Sequence, residues 1–390
     1  MKKTIIILFF GLVAVCISAC QKTEQLQVQS DSKVPETTDN KKGMTFSHGD
    51  WIAERENVAI AGKVYRYIKY RIKPAKEIVI DRIATDEDEL IIPKEIQGYP
   101  VKALGTSELE EAREPVTLKG QNKLSKIIVP EGVEIIGESA FEKVDAEELM
   151  LPESLNKIGD RAFWRSKITY VKLESQKTSF GYEAFAESNL KTIDLQSDFS
   201  GYFGLLCFQG TDLETIRWPK FNENYGLRME NNVQVESGVF KNCKKLKKVI
   251  FPKEQQFIKI QCGTFNGCSK LKKLVFPAEI KKVVYGSHLY ADNNKAGGPD
   301  KLVFLGIDTD WVGIPCHYNE KLSSKEVLTT HIIQAPKKSK AIMRAKKALR
   351  VCWLSRSTIK YENEHGVTQN ITGLGEGSVK LAPLEYEYLK

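Results

Sequence analysis

The chain has 390 residues, 42% apolar and 28% charged, the balance of a folded globular protein and too apolar for disorder. Its one long apolar run, Ile5 to Ile17, falls short of the ~20 residues that a membrane span needs, which excludes a helical transporter or channel. Fifty-eight Lys and Arg against fifty Asp and Glu give a modest +8, and eight cysteines are too few for a disulfide scaffold.

At the N-terminus Lys2 and Lys3 precede Ile5-Ile6-Ile7-Leu8-Phe9-Phe10, and the stretch closes on Ile17-Ser18-Ala19-Cys20. A basic start, a short apolar core and small residues before a cut make a secretory signal peptide over residues 1–19. The ending resembles the bacterial lipobox, in which the Cys becomes the acylated first residue. Cys20 is then the lipidation site, and several acyl chains on it hold the protein stably at a membrane, its only membrane contact. Gln21 rather than Asp after Cys20 implies, by analogy with lipoproteins, the outer membrane or cell surface of a Gram-negative-type bacterium. Residues 20–43 carry almost no apolar side chains and read as a flexible tether, with a mean reach of about 25 Å for ~23 residues.

From there the chain repeats itself. Leu124-Ser-Lys-Ile-Ile-Val-Pro130 leads to Ala140-Phe141, Leu149-Met-Leu-Pro152 to Ala162-Phe163, and Ile168-Thr-Tyr-Val-Lys-Leu173 to Ala184-Phe185. Leu190 to Leu195 leads to Phe208, Leu213 to Pro219 leads to Phe240, and Leu246 to Pro252 leads to Phe265; Leu271 to Pro277 is the last clear unit. The Phe spacings of 22, 22, 23, 32 and 25 set a basic period of about 22. In each unit the last two apolar positions are two apart, as one strand face requires, and Pro ends the strand because it has no N–H for the ladder. The Ala-Phe pair feeds the layer beneath. A single unit cannot bury its apolar face, so neighbours must stack into a solenoid. Seven strands at 4.7–4.9 Å spacing predict one sheet roughly 30 Å long.

The units Ile136-Gly137-Glu-Ser-Ala-Phe141 and Ile158-Gly159-Asp-Arg-Ala-Phe163 resemble the BspA-like leucine-rich repeats of bacterial surface proteins. Leu90 to Gly105 is similar to the opening repeat of that family, and Phe240-Lys-Asn-Cys243 and Phe265-Asn-Gly-Cys268 match its Ala-Phe-x-x-Cys ending, with Val239 and Thr264 in place of Ala. The resemblance covers residues 85–310 and implies an α/β to mainly β repeat solenoid of about seven or eight coils. It also implies a role in surface binding or adhesion and no reaction; family alone fixes no ligand.

Two flanks remain. Residues 44–84 alternate loosely, as in Val64 to Ile72, and read as N-terminal cap strands. Residues 311–390 read as a C-terminal cap. Thr330 to Lys340 looks like the strand-Pro-helix that closes such arrays, Ser339 to Arg350 carries a helical pattern with Ile342, Ala345 and Leu349 on one face, and Val379 to Leu389 predicts terminal strands.

Motifs that carry chemistry are missing. The five His residues, 48, 288, 317, 331 and 365, have no i, i+4 spacing, Cys316 and His317 are adjacent, and no C-x-x-C exists. Asp292-Asn-Asn-Lys-Ala296-Gly297 starts like a calcium loop but has Ala296 and Val303 where oxygens are needed, and so reads as a polar turn. Gly373-Leu-Gly375-Glu-Gly377 is too short for a dinucleotide fingerprint. Gly137-Glu-Ser139-Ala-Phe141 fails as a nucleophile elbow at Phe141, a repeat core position. The reading is non-catalytic, with no metal, no cofactor and no nucleic acid. Cys243 and Cys268 share one repeat position and should stack as buried free thiols, because side-by-side alignment rarely gives a disulfide dihedral.

Binding residues are sought at the outward strand positions. Tyr170, Lys172, Thr192, Asp194, Thr215 and Arg217 should stand side by side on the central coils, a mixture suited to protein or glycan contact; the competing reading is a solvated sheet face. Insertions near Glu110 to Asn122, Phe221 to Val233 and Tyr285 to Asp300 bring Tyr225, Tyr285, His288 and Tyr290 to loops, where function concentrates. Charge is polarised. Asp81 to Glu114 holds ten acids against four bases, Glu236 to Tyr285 holds twelve Lys against three Glu, and Pro336 to Lys360 holds nine bases and no acid. Lys247, Lys248, Lys272 and Lys273 are therefore candidates for an anionic partner. The chain reads as a monomeric surface lipoprotein that binds a host or matrix protein or an anionic glycan. The alternatives are a substrate-capturing accessory of glycan uptake, an enzyme with its site in the C-terminal cap, and a structural spacer.

Overall fold

The computed structural model describes residues 45–48, 51–60, 63–71, 76–85, 87–105, 117–119, 123–220, 234–261, 263–285, 299, 301–312, 316–317, 329–330, 332–347, 349–351, 359–362, 368–371, 381–383 and 386–389. The expected signal peptide and tether lie outside these, and all described residues belong to one unit, Gly43–Lys390.

Stacking is visible in three sets of rungs between successive coils. A front ladder pairs Glu89–Ile91, Leu124–Ile128, Ala146–Leu151, Tyr170–Leu173 and Thr192–Leu195 in parallel. Its register steps by one period, Lys126 to Glu148 to Tyr170 to Thr192. Burial alternates as the period of two demands: Leu149, Leu151, Val171 and Leu173 point into the core, while Glu148, Met150, Tyr170 and Lys172 reach solvent. A second ladder pairs Tyr99–Leu104, Ile135–Ile136, Lys157–Ile158, Ser179–Phe180 and Tyr202–Phe203, also in parallel.

The third set lies in turns. Ser139, Phe141 and Lys143 donate their backbone N–H groups to the carbonyls of Asp160, Ala162 and Trp164 at 2.7–2.8 Å, and Arg161, Phe163 and Arg165 repeat the pattern on Tyr182, Ala184 and Ala186. Each turn has two left-handed residues four apart, Ser139 and Lys143, then Arg161 and Arg165, then Glu183 and Glu187, all with φ between 52° and 57°. Distal coils put Gly238 and Gly267 at such positions, where the missing Cβ removes the steric cost.

Two side-chain columns run through the stack. Phe141, Phe163, Phe185, Phe208, Phe240 and Phe265 are stacked one on the next, with centroids 4.7–5.9 Å apart and planes within 22°. The last strand position makes a second column, Trp218, Phe251, Phe276 and Phe304, at 4.8–5.3 Å. Beside the turns the backbones approach so closely that only glycine fits. A Cβ at Gly159 would lie 2.6 Å from the carbonyl carbon of Gly137, and one at Gly204 2.5 Å from the carbonyl oxygen of Phe180.

The single seven-strand sheet is not what forms. The front face consists of three ladders, the five strands above, then Thr215–Arg217 with Lys248–Ile250, then Lys273–Phe276, Lys301–Phe304, Ile332–Ala335 and Tyr386–Tyr388. The breaks fall between Thr192 and Thr215 and between Lys248 and Lys273, steps of 23 and 25 residues. The longer steps from Thr215 to Lys248 and from Lys273 to Lys301 keep their rungs, so step length alone does not open the ladder. Inward side chains stay buried on both sides of each break. One bond, Glu214 N–H to Lys191 O at 3.4 Å, bridges the first break.

At the N-terminal side Thr45–His48, Trp51–Ile60, Lys63–Arg71 and Lys76–Ala84 form an antiparallel meander whose last strand pairs in parallel with Tyr99–Leu104. At the other side the ladders run past residue 310. Asp310–Val312 extends the second-ladder pair Phe257–Ile260 and Lys282–Tyr285, and Ile332–Ala335 extends the front. Helix α1, Lys340–Lys347, follows. The Ser339 hydroxyl caps it by accepting the Ile342 N–H at 3.2 Å. The helix is shorter than its pattern: Leu349 opens a strand, Leu349–Val351, paired with Leu381–Pro383, and α1 buries Ala341, Ile342 and Ala345 instead. Arg344 clamps α1 to the ladder with two bonds to Asp310, 2.6 and 2.9 Å, and the Trp311 indole donates to Ala341 O at 3.3 Å.

Two predictions follow from this packing. Phe163→Ala removes a fully buried ring and should cost about 3–5 kcal/mol, against about 0.5 kcal/mol or less for the outward Lys172→Ala, as read from urea melts. Burial would raise the Asp310 carboxyl, but the Arg344 pair outweighs it and holds the group below the ordinary carboxylate range. The clamp's contribution is therefore complete above that range and is lost as pH falls through the lowered value. Asp310→Asn should lower stability at neutral pH and flatten the acid limb of a stability-against-pH curve.

Candidate functional site

The front ladder brings four of the six sequence candidates together. Tyr170 pairs with Thr192 and Lys172 with Asp194 on adjacent strands; Lys172, Thr192 and Asp194 are exposed and Tyr170 is half-buried. Above them lie Glu148 and Met150 in the same two columns. Thr215 and Arg217 belong to the next ladder, across the break, where they pair with Lys248 and Ile250. Lys172 is not an isolated cation. Its ammonium meets Glu174 at 2.5 Å, whose other oxygen accepts the Gln196 amide at 2.8 Å. That bond and charge raise the Lys172 pKa, with smaller help from Tyr170 and Asp194. Lys126 approaches Glu148 at 3.6 Å, and Lys123 is bonded to Glu147. The face is thus a self-paired polar surface whose apolar elements are Tyr170 and the column of Met150, Ile128 and the exposed Ile91.

The four anionic-partner candidates divide. Lys247 bonds Glu214 at 2.7 Å and its neighbour Lys245 bonds Asp212 at 2.8 Å; the Lys247 ammonium holds the Glu214 carboxyl below its usual range. Lys248, Lys272 and Lys273 are exposed on the same side of consecutive coils.

A second cluster, on the turns, escaped the reading of strand positions. Trp164 is ringed by three cations: Arg165 4.1 Å from its centroid, Lys143 at 5.1 Å and Arg161 at 5.9 Å. Arg161 also covers Tyr182 at 5.4 Å and bonds Glu183 at 2.7 Å, and Arg165 bonds Glu187 at 2.6 Å. The Tyr182 hydroxyl donates to Glu183 and that of Tyr202 to Glu236, both at 2.9 Å. Burial first, and Glu183 second, push Tyr182 up to about 12, and burial with Glu236 raises Tyr202 further. Both phenols therefore stay protonated donors at neutral pH. The signal was the left-handed turn, a feature that apolar periodicity does not mark.

Among the described residues no three His, Cys, Asp or Glu side chains gather closely enough to hold a metal ion. The side chains of all five His, the segment Asp292–Gly297, Tyr225, Tyr285 and Tyr290 lie outside the description. Cys207, Cys243 and Cys268 are buried free thiols. Cys243 and Cys268 each donate to a carbonyl of the preceding coil, Phe208 and Phe240, at 3.0 Å.

With this geometry in view, a family model described as a BspA type leucine rich repeat region matches residues 116–229 and 226–294, in six copies. The repeats of this chain are BspA-type leucine-rich repeats. BspA-type leucine-rich repeat proteins are bacterial surface proteins. Among solved structures, the chain is similar to a leucine-rich repeat protein from Bacteroides ovatus at 18% identity, covering 71% of this chain and 70% of that one, with a TM-score of 0.44. It is also similar to a T. pallidum leucine rich repeat protein at 21% identity, covering 60% and 88%, with a TM-score of 0.35. No curated protein matches the chain. Among the described residues no helix is long and apolar enough to cross a membrane.

The thiols of the BspA-type array give a direct check. Burial pushes Cys243 up to about 12 and raises Cys207 and Cys268 as well, so none is a thiolate at pH 8. Brief alkylation of the native protein followed by peptide mapping should leave these three unmodified, and alkylation in denaturant should modify all three.

Proposed function

We propose that this protein is a lipid-anchored surface protein whose repeat array binds a macromolecular partner, an extracellular protein or an anionic glycan, as a monomer and without catalysis. The observation that carries the reading is the in-register exposure of Tyr170, Lys172, Thr192 and Asp194 on adjacent strands. A rigid sheet fixes aromatic, hydroxyl and charged groups at set spacings, which lowers the ordering cost of binding. Thr215 and Arg217 continue the surface across the break. Nothing in this array needs to move or react for it to bind.

Cys20 supplies the anchor in this reading, and the tether holds the array off the lipid. Cys20→Ala should abolish labelling by radioactive palmitate and release the protein from membranes; labelling that persists would defeat the lipobox assignment. For the ligand, full-length protein in detergent should bind selected members of an array of glycans and matrix proteins. Tyr170→Ala combined with Asp194→Lys should abolish that selection and leave the melting transition unchanged. Selection that survives the double substitution would remove the front face from consideration.

A further inference from the structure

Ion pairing sorts the lysines of the distal coils into two groups. Carboxylates around them are mostly engaged: Asp212 by Lys245, Glu214 by Lys247, Glu254 by Lys220 and Glu387 by Lys301, all at 2.7–2.8 Å, with Asp308 near Lys340 at 3.6 Å and Asp310 held by Arg344. Glu236 accepts from Tyr202. Glu279 makes no ion pair among the described residues, and it lies with Lys281 just before the second-ladder strand that Lys282 opens, beyond the front. What remains on the front side is Lys244, Lys248, Lys270 and Lys273, all exposed and making no ion pair among the described residues, with Lys270 near enough to Glu214 to help Lys247 hold that carboxyl below its usual range.

These four form a strip. Lys248 and Lys273 open the successive strands Lys248–Ile250 and Lys273–Phe276 at the same outward position. Lys244 and Lys270 stand in the turns that lead into those strands, and the turns are tied by the Ser269 hydroxyl donating to Lys244 O at 3.4 Å. Although the ladder is open at this step, the coils stay close, with the rings of Phe251 and Phe276 centred 4.8 Å apart and those of Phe240 and Phe265 5.8 Å apart. This coil spacing is inside the ~8 Å Debye length of physiological salt, so these charges repel one another and their fields add toward a ligand. The fold does not require them. The inward strand positions on the same coils are apolar, with Val249, Phe251, Leu274 and Phe276 buried.

We infer that this strip binds a linear sulfated glycan lying across the coils, an inference that rests on the binding reading above and names the partner class. Ammonium groups act as point charges and suit sulfate without fixed geometry. The aromatic rings on the inward side of these coils, Trp218, Phe240, Phe251, Phe265 and Phe276, are buried, so among the described residues the strip itself presents no aromatic platform for the bases of a nucleic acid. Thr215, paired with Lys248, joins the strip to the front face.

Heparin is the probe, titrated into full-length protein in detergent at low and physiological salt. Wild type should bind in a salt-sensitive manner, and Lys244, Lys248, Lys270 and Lys273→Gln together should weaken binding about tenfold or more, the scale expected when several ion contacts to a polyanion are lost. The same charge change around α1, at Lys337 and Lys338 before it and Lys346 and Lys347 at its end, all to Gln, should change it less than twofold. Asp212→Asn with Glu214→Gln releases Lys245 and Lys247 and should tighten it. Four results would overturn the inference: wild type that does not bind heparin, a strip variant within twofold of wild type, an α1 variant as weak as the strip variant, or duplex DNA competing as well as heparin at matched charge. Failure here with intact, Tyr170-dependent selection on the array would leave the proposed function standing and remove only the glycan.

Discussion

Each coil must lie at β-ladder distance from the next, about 5 Å, and this spacing governs every position that the repeat constrains. Phenylalanine rings at that separation stack face to face, as the six-ring column from Phe141 to Phe265 does. Backbone at that separation tolerates no Cβ where two turns pass closest, hence Gly159, Gly181 and Gly204. The position three after each Phe is small for the same reason: Val144, Ser166, Ser188, Thr211, Cys243 and Cys268. There the chemistry changes along the stack. The two thiols reach back to a carbonyl of the coil before, Thr211 bonds within its own turn, and the buried hydroxyls of Ser166 and Ser188 make no hydrogen bond. An orphaned hydroxyl costs stability, so Cys at this position does the packing of Ser without that penalty.

Stacking also has a hierarchy. Where the front ladder opens, between Leu195 and Thr215 and between Ile250 and Lys273, the inward side chains on both sides remain buried. Core burial is the stronger term, because a buried ring contributes several kcal/mol and one exposed backbone bond contributes about 1 kcal/mol net. Sheet continuity is what the chain gives up. Gln234 repairs the region of the longest period by setting its amide nitrogen 2.8 Å from the carbonyls of Ser200 and Gly201 and 2.5 Å from that of Lys220, its two N–H groups shared among the three in place of regular backbone bonds.

Periodicity made much of this legible. The alternation in Leu-x-x-Ile-x-Leu-Pro marks the strand, its inward side and its end, so the outward register of Tyr170, Lys172, Thr192 and Asp194 could be read directly and is what the ladder displays. Three features could not be read that way. The ladder breaks do not track step length, since the long step from Thr215 to Lys248 keeps its rungs, and no repeat unit states where they fall. Helix α1 stops at Lys347 although Leu349 fits its apolar face, because Leu349–Val351 finds a strand partner in Leu381–Pro383 far along the chain. The Trp164 cluster depends on left-handed turn residues, and Arg161, Arg165, Glu183 and Glu187 at those positions look like ordinary surface charges until the turns are stacked and their side chains meet.

The same logic shows why the partner is harder to read than the fold. A repeat constrains the residues that every coil needs, and those are inward, so the outward residues are the ones on which the fold places no demand. Function and solubility both draw on that freedom, and composition alone does not separate them. Ion pairing does help. A lysine that faces a carboxylate on the adjoining coil, as Lys245 and Lys247 do, is explained by the stack itself, because neighbouring coils bring the charges together whether or not anything binds. Lysines repeated on consecutive coils with no such carboxylate raise the energy of the stack and gain nothing from it. In a solenoid, an uncompensated column of like charge therefore points outward to a counter-charge the chain does not carry, and the extended geometry of the column favours a linear polymer over a compact ion.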